Sequence, residues 1–265
     1  MKDFVERFGP WALVTGASSG IGEAFVRRLA EMGLNLVLVA RREDRLRNLA
    51  DELQNRHSIS TRVVPLDLSR DDFLPVIEQA TAELQIGLLV NNAGVATSGK
   101  FLDNDLRSEL ALLHINNRAA LILAHHFGRL MRKQGRGGMI FLSSSVAFAG
   151  VPAWSNYAAS KAHDLVFAEG LAKELRRDGI SVLALCPGAT QTEFWASGSK
   201  PLFPMQASAV VDIALKKLGK RTTVVAGWLN SISTFSTRLL PRSWNAGIYG
   251  WVVGGMLKAP QTPAG

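Results

Sequence analysis

The stretch from Trp11 to Gly33, WALVTGASSGIGEAFVRRLAEMG, narrows the possible folds more than any other part of the chain. A short apolar run enters a glycine-rich turn, and the turn enters a segment whose apolar residues recur at helical spacing. Gly16, Gly20 and Gly22 set a T-G-x3-G-x-G pattern. Residues without a Cβ let backbone approach a pyrophosphate closely, and the unpaired N–H groups at the start of the following helix favour an anion. Strand, tight turn and helix in that order are the first half of a β–α–β unit. Such units imply a parallel sheet with right-handed crossovers.

The alternation continues. LNLVLVARREDRL reads as a second strand ending at Ala40-Arg41-Arg42, with no acid before Glu43. In dinucleotide-binding units an acid near this point hydrogen-bonds the ribose 2′-hydroxyl, whereas an arginine accommodates a 2′-phosphate. A guanidinium grips phosphate bidentately, so Arg41 and Arg42 favour NADP(H) over NAD. TRVVPLDLS is the third strand, a helical stretch runs from Asp71 to Leu84, and GLLVNNAGVA carries the fourth strand. A long helical pattern from Leu106 to Lys133 is interrupted by Asn116 and Asn117 before the strand GGMIFLSSS. ISVLALCPGATQTEF gives another strand, MQASAVVDIALKKLGKR the last regular helix, and TTVVAG the last strand. No repeat, low-complexity segment or linker precedes residue 227. The expected division is one domain over residues 1–226 and a carboxyl-terminal extension over 227–265.

Composition sets bounds on this reading. With 265 residues, 47% hydrophobic and 20% charged, the chain suits one large α/β domain rather than two. Its single cysteine, Cys186, excludes an intrachain disulfide and fits a reducing, cytoplasmic setting. The start, MKDFVERFGPW, contains acids and no apolar core of a secretory signal. His57, His114, His125, His126 and His163 lack ligand spacing, so no metal is expected. The net charge of +8 is concentrated late: after Asp212 there is no Asp or Glu, while Lys216, Lys217, Lys220, Arg221, Arg238, Arg242 and Lys258 follow.

Chemistry concentrates in SSVAFAGVPAWSNYAASK, from Ser144 to Lys161. Tyr157 and Lys161 stand four apart in a helical pattern, so both leave one face. A nearby ammonium favours the phenolate and is expected to lower the Tyr157 pKa, suiting the phenol to acid–base work on a carbinol or carbonyl. Ser144 brings a third hydrogen-bonding group.

These motifs together resemble the short-chain dehydrogenase/reductase family, over roughly residues 10–226, and in particular its bacterial subset with an Ala-Arg-Arg cofactor signature. The resemblance implies a doubly wound parallel sheet of order 3-2-1-4-5-6-7. It makes Ser144, Tyr157, Lys161 and Asn116 the catalytic set; Ser144 is preferred to Ser143 and Ser145 because it precedes the tyrosine by thirteen. It also implies cofactor contacts from Gly16, Ser18, Ser19, Gly20, Ile21 and Gly22, and from Arg41 and Arg42. Asp67 and Leu68 would lie beside adenine, Asn92 by its ribose, and Gly94 would leave room for cofactor. Tyr157 and Lys161 would hold the nicotinamide ribose, with Pro187, Gly188, Ala189 and Thr192 at the carboxamide. Asn91 would brace the central sheet, and Asn116 would break its helix and carry a proton relay.

The expected activity is hydride transfer between NADP(H) and an apolar carbonyl or secondary alcohol, in a homodimer or homotetramer. Residues 191–204 read as a cover over the substrate, lined by Phe194, Trp195, Leu202 and Phe203 with a turn at Lys200-Pro201. A 3-oxoacyl thioester reductase, or a cofactor-binding scaffold without chemistry, are the alternatives. Nucleic acid is not an expected partner, because the late basic residues match no interleaved aromatic motif. For the extension, fifteen uncharged residues from Ser243 to Leu257 are too few, and too rich in glycine, to span a membrane. Packing that closes the substrate cleft or a subunit interface, burying Trp244, Trp251 and Met256, is expected there, with a peripheral membrane contact as the alternative.

Overall fold

In a computed structural model, residues 2–193, 204–237 and 239–257 are described. The chain opens with α1 (Lys2–Phe8), then β1 (Trp11–Thr15), α2 (Gly20–Glu31), β2 (Asn35–Ala40), α3 (Glu43–His57), β3 (Thr61–Pro65) and α4 (Phe73–Thr81). β4 (Ile86–Asn91), α5 (Leu106–Leu113), a π-helical turn (His114–Arg118) and α6 (Ala119–Gln134) follow. Then come β5 (Gly137–Leu142), a 3-10 turn (Ser145–Phe148), α7 (Ser155–Glu174) and β6 (Ile180–Pro187). α8 (Ala207–Lys217), β7 (Thr223–Ala226), α9 (Trp228–Ser236) and α10 (Arg242–Leu257) complete it.

The seven strands form one parallel sheet in the order β3-β2-β1-β4-β5-β6-β7. Every residue of β4 is buried, as a strand covered on both faces requires. One face packs Phe25, Val26 and Leu29 of α2 with Val210, Val211 and Ala214 of α8. The other packs Phe73 and Ile77 of α4, Leu123 and Phe127 of α6, and Leu165 and Ala168 of α7. Full burial of each large side chain contributes about 1.5–3 kcal/mol before entropy is counted. The order reverses between β1 and β4, and the crevice at the carboxyl ends of those strands is where such sheets bind ligands.

Two features depart from the sequence reading. α8 is not the last helix: α9 and α10 follow it. Glycine weakens a helix, yet α10 needs one: a Cβ on Gly250 would lie 2.9 Å from Pro152 Cγ. The side chain of Asn245 secures the turn by donating to Thr237 O (2.8 Å) and Leu240 O (3.2 Å). Nor are the late tryptophans buried within the single chain, although α10 does reach the cleft through Tyr249. Trp228, Trp244 and Trp251 are 71%, 66% and 83% exposed, while Thr234 and Asn245 face inward. The side chain of Met256 lies outside those described.

Candidate active site

A cavity of about 570 Å³ runs along the switch point. Its dinucleotide end is built by the turn between β1 and α2. Gly16 has φ 65°, and a Cβ there would come within 2.7 Å of Asn92 Nδ2. A Cβ on Gly22 would lie 2.2 Å from Gly16 O, so the helix start can press against the turn only without side chains. The first N–H groups of α2 face this cradle, and its cap residue Ser19 makes no side-chain cap bond. Ser19 Oγ instead accepts from Arg42 Nη2 (2.7 Å), and Ser18 Oγ accepts from Arg42 Nε (3.2 Å). A cradle of backbone donors beside a guanidinium fits a phosphate-bearing dinucleotide.

The sequence-derived residues mostly converge here. Gly16, Ser18, Ser19, Gly20, Ile21, Arg41, Arg42, Asp67, Leu68, Asn92 and Gly94 line the cavity, as do Ser144, Tyr157, Lys161, Pro187, Gly188, Ala189 and Thr192. Gly22 and Asn116 do not; each lies behind the wall. Asn116 sits in the π-helical turn and accepts from Val95 N–H (2.9 Å), while its Nδ2 donates to Val95 O and Ser160 Oγ (3.0 Å each). A Cβ on Gly94 would meet Asn116 Oδ1 and Lys161 Nζ, both at 3.4 Å, so these two side chains share the floor below Gly94.

The asparagine pair is a correction. Both side-chain atoms of Asn91 are buried without a hydrogen-bond partner. The brace comes from Asn92, whose Nδ2 donates to Thr15 O (2.8 Å) and Gly16 O (3.3 Å). Its backbone N–H donates to Thr15 Oγ1 (3.0 Å). β4 ends at Asn91, so only the next residue can turn toward the glycine loop.

At the other end, α7 presents Tyr157 and Lys161 on one face. Ser144 hydrogen-bonds the Tyr157 hydroxyl, whereas Ser143 Oγ is committed to Lys161 O (2.7 Å). Lys161 is 3% exposed, and its Nζ donates to Leu142 O (2.7 Å) and Asp164 Oδ2 (3.2 Å). The expected lowering of the Tyr157 pKa by Lys161 is outweighed. Burial pushes the phenol up, with Lys161 and the Ser144 hydrogen bond pulling against it and Asp164 adding to the rise. The phenol keeps its proton.

Residues distant in sequence finish the walls. Trp154 packs edge-on to Tyr157 with ring centroids 5.6 Å apart. Ala153 before it holds a left-handed φ of 67°. Asn230 and Ser233 of α9 and Tyr249 of α10 close the cavity from the carboxyl-terminal side. No local signal marks these three, since only packing brings α9 and α10 over the cleft. Glu193 also lines the cavity and accepts from Arg42 Nη1 (2.9 Å) and Arg45 Nη1 (2.6 Å). The expected cover residues Phe194, Trp195, Lys200, Pro201, Leu202 and Phe203 lie outside the described residues. Its two ends are tied, with Gln191 N–H donating to Met205 O and Met205 N–H to Ala189 O (2.9 Å each).

A parallel sheet with a glycine cradle at its switch point and a buried tyrosine–lysine pair beyond it defines a nicotinamide-dependent oxidoreductase. The comparisons with known proteins sharpen that class. The model of the short chain dehydrogenase family matches residues 10–201, and the chain belongs to that family. A 7beta-hydroxysteroid dehydrogenase of Mediterraneibacter gnavus is 32% identical over 86% of this chain and 90% of its own length. A solved 7beta-hydroxysteroid dehydrogenase superposes with a TM-score of 0.88 at 29% identity, covering 93% of this chain and 98% of its own. A short-chain dehydrogenase from Sphingobium yanoikuyae in complex with NADPH superposes with a TM-score of 0.79 at 33% identity, over 97% and 99%. The chain is therefore an oxidoreductase acting on CH–OH and C=O groups.

Proposed function

We propose that the chain interconverts a bulky, apolar secondary alcohol and its ketone, of the hydroxysteroid class, with NADP(H). One observation carries the reading: Ser144, Tyr157 and Lys161 line the same cavity as Val146, Trp154 and Tyr249. When bound, the nicotinamide supplies the hydride for reduction and takes it up in oxidation. Tyr157 Oη donates its proton to the carbonyl oxygen as the C–H bond forms, and recovers it from the carbinol in reverse. Ser144 holds the same oxygen and stabilises its developing charge. Lys161 would hold a ribose hydroxyl through its remaining donor and favours the phenolate, and Asn116, below Gly94, would carry the relay that returns a proton to Tyr157. Arg42 beside Ser18 and Ser19, with Arg41 on the same rim and no acid at Ala40, supports a 2′-phosphate. The NADPH complex of the Sphingobium yanoikuyae relative is consistent with this.

The test is a panel of steroid ketones and alcohols, bulky aryl ketones and 3-oxoacyl thioesters, with oxidation or appearance of NADPH as the readout. Hydroxysteroids or their ketones should be turned over. Tyr157→Phe should abolish that turnover while NADPH still binds, because only the proton-transferring oxygen is lost. A phenylalanine variant that keeps most of its activity would sink the mechanism. Preference for thioesters would reassign the substrate, and a folded, cofactor-loaded protein inert to the whole panel would leave a binding scaffold.

Two surfaces bear on partners. Leu106, Leu110 and Leu113 lie along one face of α5 and, with Leu121 of α6 and Val166 of α7, remain exposed. They suit a homodimer or homotetramer. The faces of α9 and α10 expose Trp228, Ile232, Phe235, Trp244, Ile248 and Trp251 in a region without acids, which suits an anionic membrane surface.

A further inference from the structure

α7 places a third ionisable side chain in line with the catalytic pair. Asp164 follows Lys161 by three and Tyr157 by seven, so all three fall on one face of the helix. It is 3% exposed. Oδ2 accepts from Lys161 Nζ at 3.2 Å, and Oδ1 accepts from Asn117 Nδ2 at 3.2 Å. Burying a carboxylate in the middle of a helix is expensive, and an apolar residue would pack there at less cost. The mechanism proposed above assigns it no part.

Its position implies one. An ammonium has three donors. Leu142 O and Asp164 take two of those on Lys161, which itself lines the cavity, and one donor remains. The same carboxylate lies close enough to the Tyr157 hydroxyl for its charge to be felt there in the opposite sense to that of Lys161. We infer that Asp164 is a positioning residue: it pins the Lys161 ammonium and offsets part of that ammonium's field at the Tyr157 oxygen. Without it, Lys161 would draw the proton off Tyr157 at lower pH, and the enzyme would rest with less of the phenol that ketone reduction consumes.

Few other charges compete with this effect among the described residues. On α7, besides Lys161, His163 Nδ1 stands 3.7 Å from Asp164 Oδ1, with its ring stacked on Phe167 and its side chain 41% exposed. The π-helical turn contributes Asn117, which carries no charge. From β6 comes the thiol of Cys186, pushed by burial up to about 12 and therefore neutral through the working range. Glu169, further along α7, acts on that thiol and is hydrogen-bonded by Thr223.

The inference rests on Tyr157 as the proton-transferring group, but its test need not. The chain holds two tyrosines, Tyr157 and Tyr249. In a Tyr249→Phe background the near-ultraviolet absorbance of phenolate therefore reports Tyr157 alone. Adding Asp164→Asn keeps an acceptor toward Lys161 and removes the charge. The midpoint should fall by about one pH unit, the size expected for a unit charge at this range in a partly screened interior. In the Asp164→Asn enzyme with Tyr249 intact, the acid limb of the alcohol-oxidation rate should move the same way. A residue that served only to hold the fold would lower the rate without moving either midpoint. A midpoint unmoved or raised in a folded Asp164→Asn protein would overturn the inference. Should that variant fail to fold, His163→Arg at its exposed position places a permanent cation beside the carboxylate and should lower the midpoint by less. No movement there would likewise overturn it. Turnover surviving in Tyr157→Phe would discredit the mechanism and leave this titration standing, so the two failures are distinguishable.

Discussion

Arg42 is already engaged before any phosphate arrives. Its guanidinium donates to both loop serines, and its remaining edge is taken by the carboxylate of Glu193, which Arg45 also holds. Those two arginines hold the Glu193 carboxyl below the usual range. A depressed carboxylate stays charged above its ordinary pKa and loses its ion pairs only as pH falls toward strongly acid values. The competition therefore persists at neutral pH. Under the NADP(H) reading, Glu193 occupies the edge of Arg42 that a 2′-phosphate would need. Its ion pairs are exposed and cheap to break. Glu193→Gln should tighten NADPH binding a few-fold and leave NADH unchanged, whereas Arg42→Ala should weaken NADPH alone by about tenfold or more. Fluorescence titration with both cofactors measures this. Equal affinity of the unmodified protein for NADP and NAD would defeat the reading.

Elements meet the chemistry through the π-helical turn that separates α5 from α6. The sequence showed two adjacent asparagines interrupting an apolar series, and spacing could not say which turned toward the lysine. Both turn toward α7, in different ways. Asn116 pins the Val95 backbone and Ser160, while Asn117 caps Ser160 O (2.8 Å) and reaches Asp164. One extra residue in the turn rotates the helix enough for neighbouring side chains to face the same partner helix. Asn116→Ala would leave the Val95 N–H and C=O unpaired behind the wall, at a cost of about 1–3 kcal/mol in chemical denaturation, and should depress turnover further than stability explains. Ser160→Ala removes one of the Asn116 bonds and should cost less. Equal losses in the two variants would show that the turn is held by something other than Asn116.

At the scale of the whole molecule, charge and apolar surface coincide at the carboxyl-terminal end. Among the described residues no helix is long and apolar enough to cross a membrane. α9 and α10 nevertheless present tryptophans outward, next to the exposed Arg242. Tryptophan suits the lipid interface, and cationic segments are drawn to anionic headgroups over about a Debye length. The intact protein should co-sediment with vesicles containing phosphatidylserine, lose that binding as salt rises, and ignore neutral vesicles. Trp228→Ser with Trp251→Ser should weaken binding and leave the cavity walls intact, since both side chains point to solvent. Binding to neither vesicle, together with a mass in sedimentation that drops to the monomer in the double variant, would assign the face to a second copy instead.

Whatever depends on neighbours along the chain was legible without the fold. The glycine cradle is a local turn, the alternation of strand and helix is periodicity, and Tyr157 with Lys161 is a helical spacing; these gave a parallel α/β sheet, while its strand order came from the family the motifs resemble and is the order observed. What depends on burial and on remote packing was not. The proximity of Lys161 to Tyr157 could be read, but the direction of the Tyr157 shift could not, because desolvation sums over every residue around the phenol. The brace fell to Asn92 rather than Asn91 because strand β4 ends one residue earlier. Asn230, Ser233 and Tyr249 reach the cleft only because α9 and α10 fold back over it, with Gly250 seated against Pro152. A sequence records spacing directly. Which side chains lose their water is decided only when distant segments close on one another.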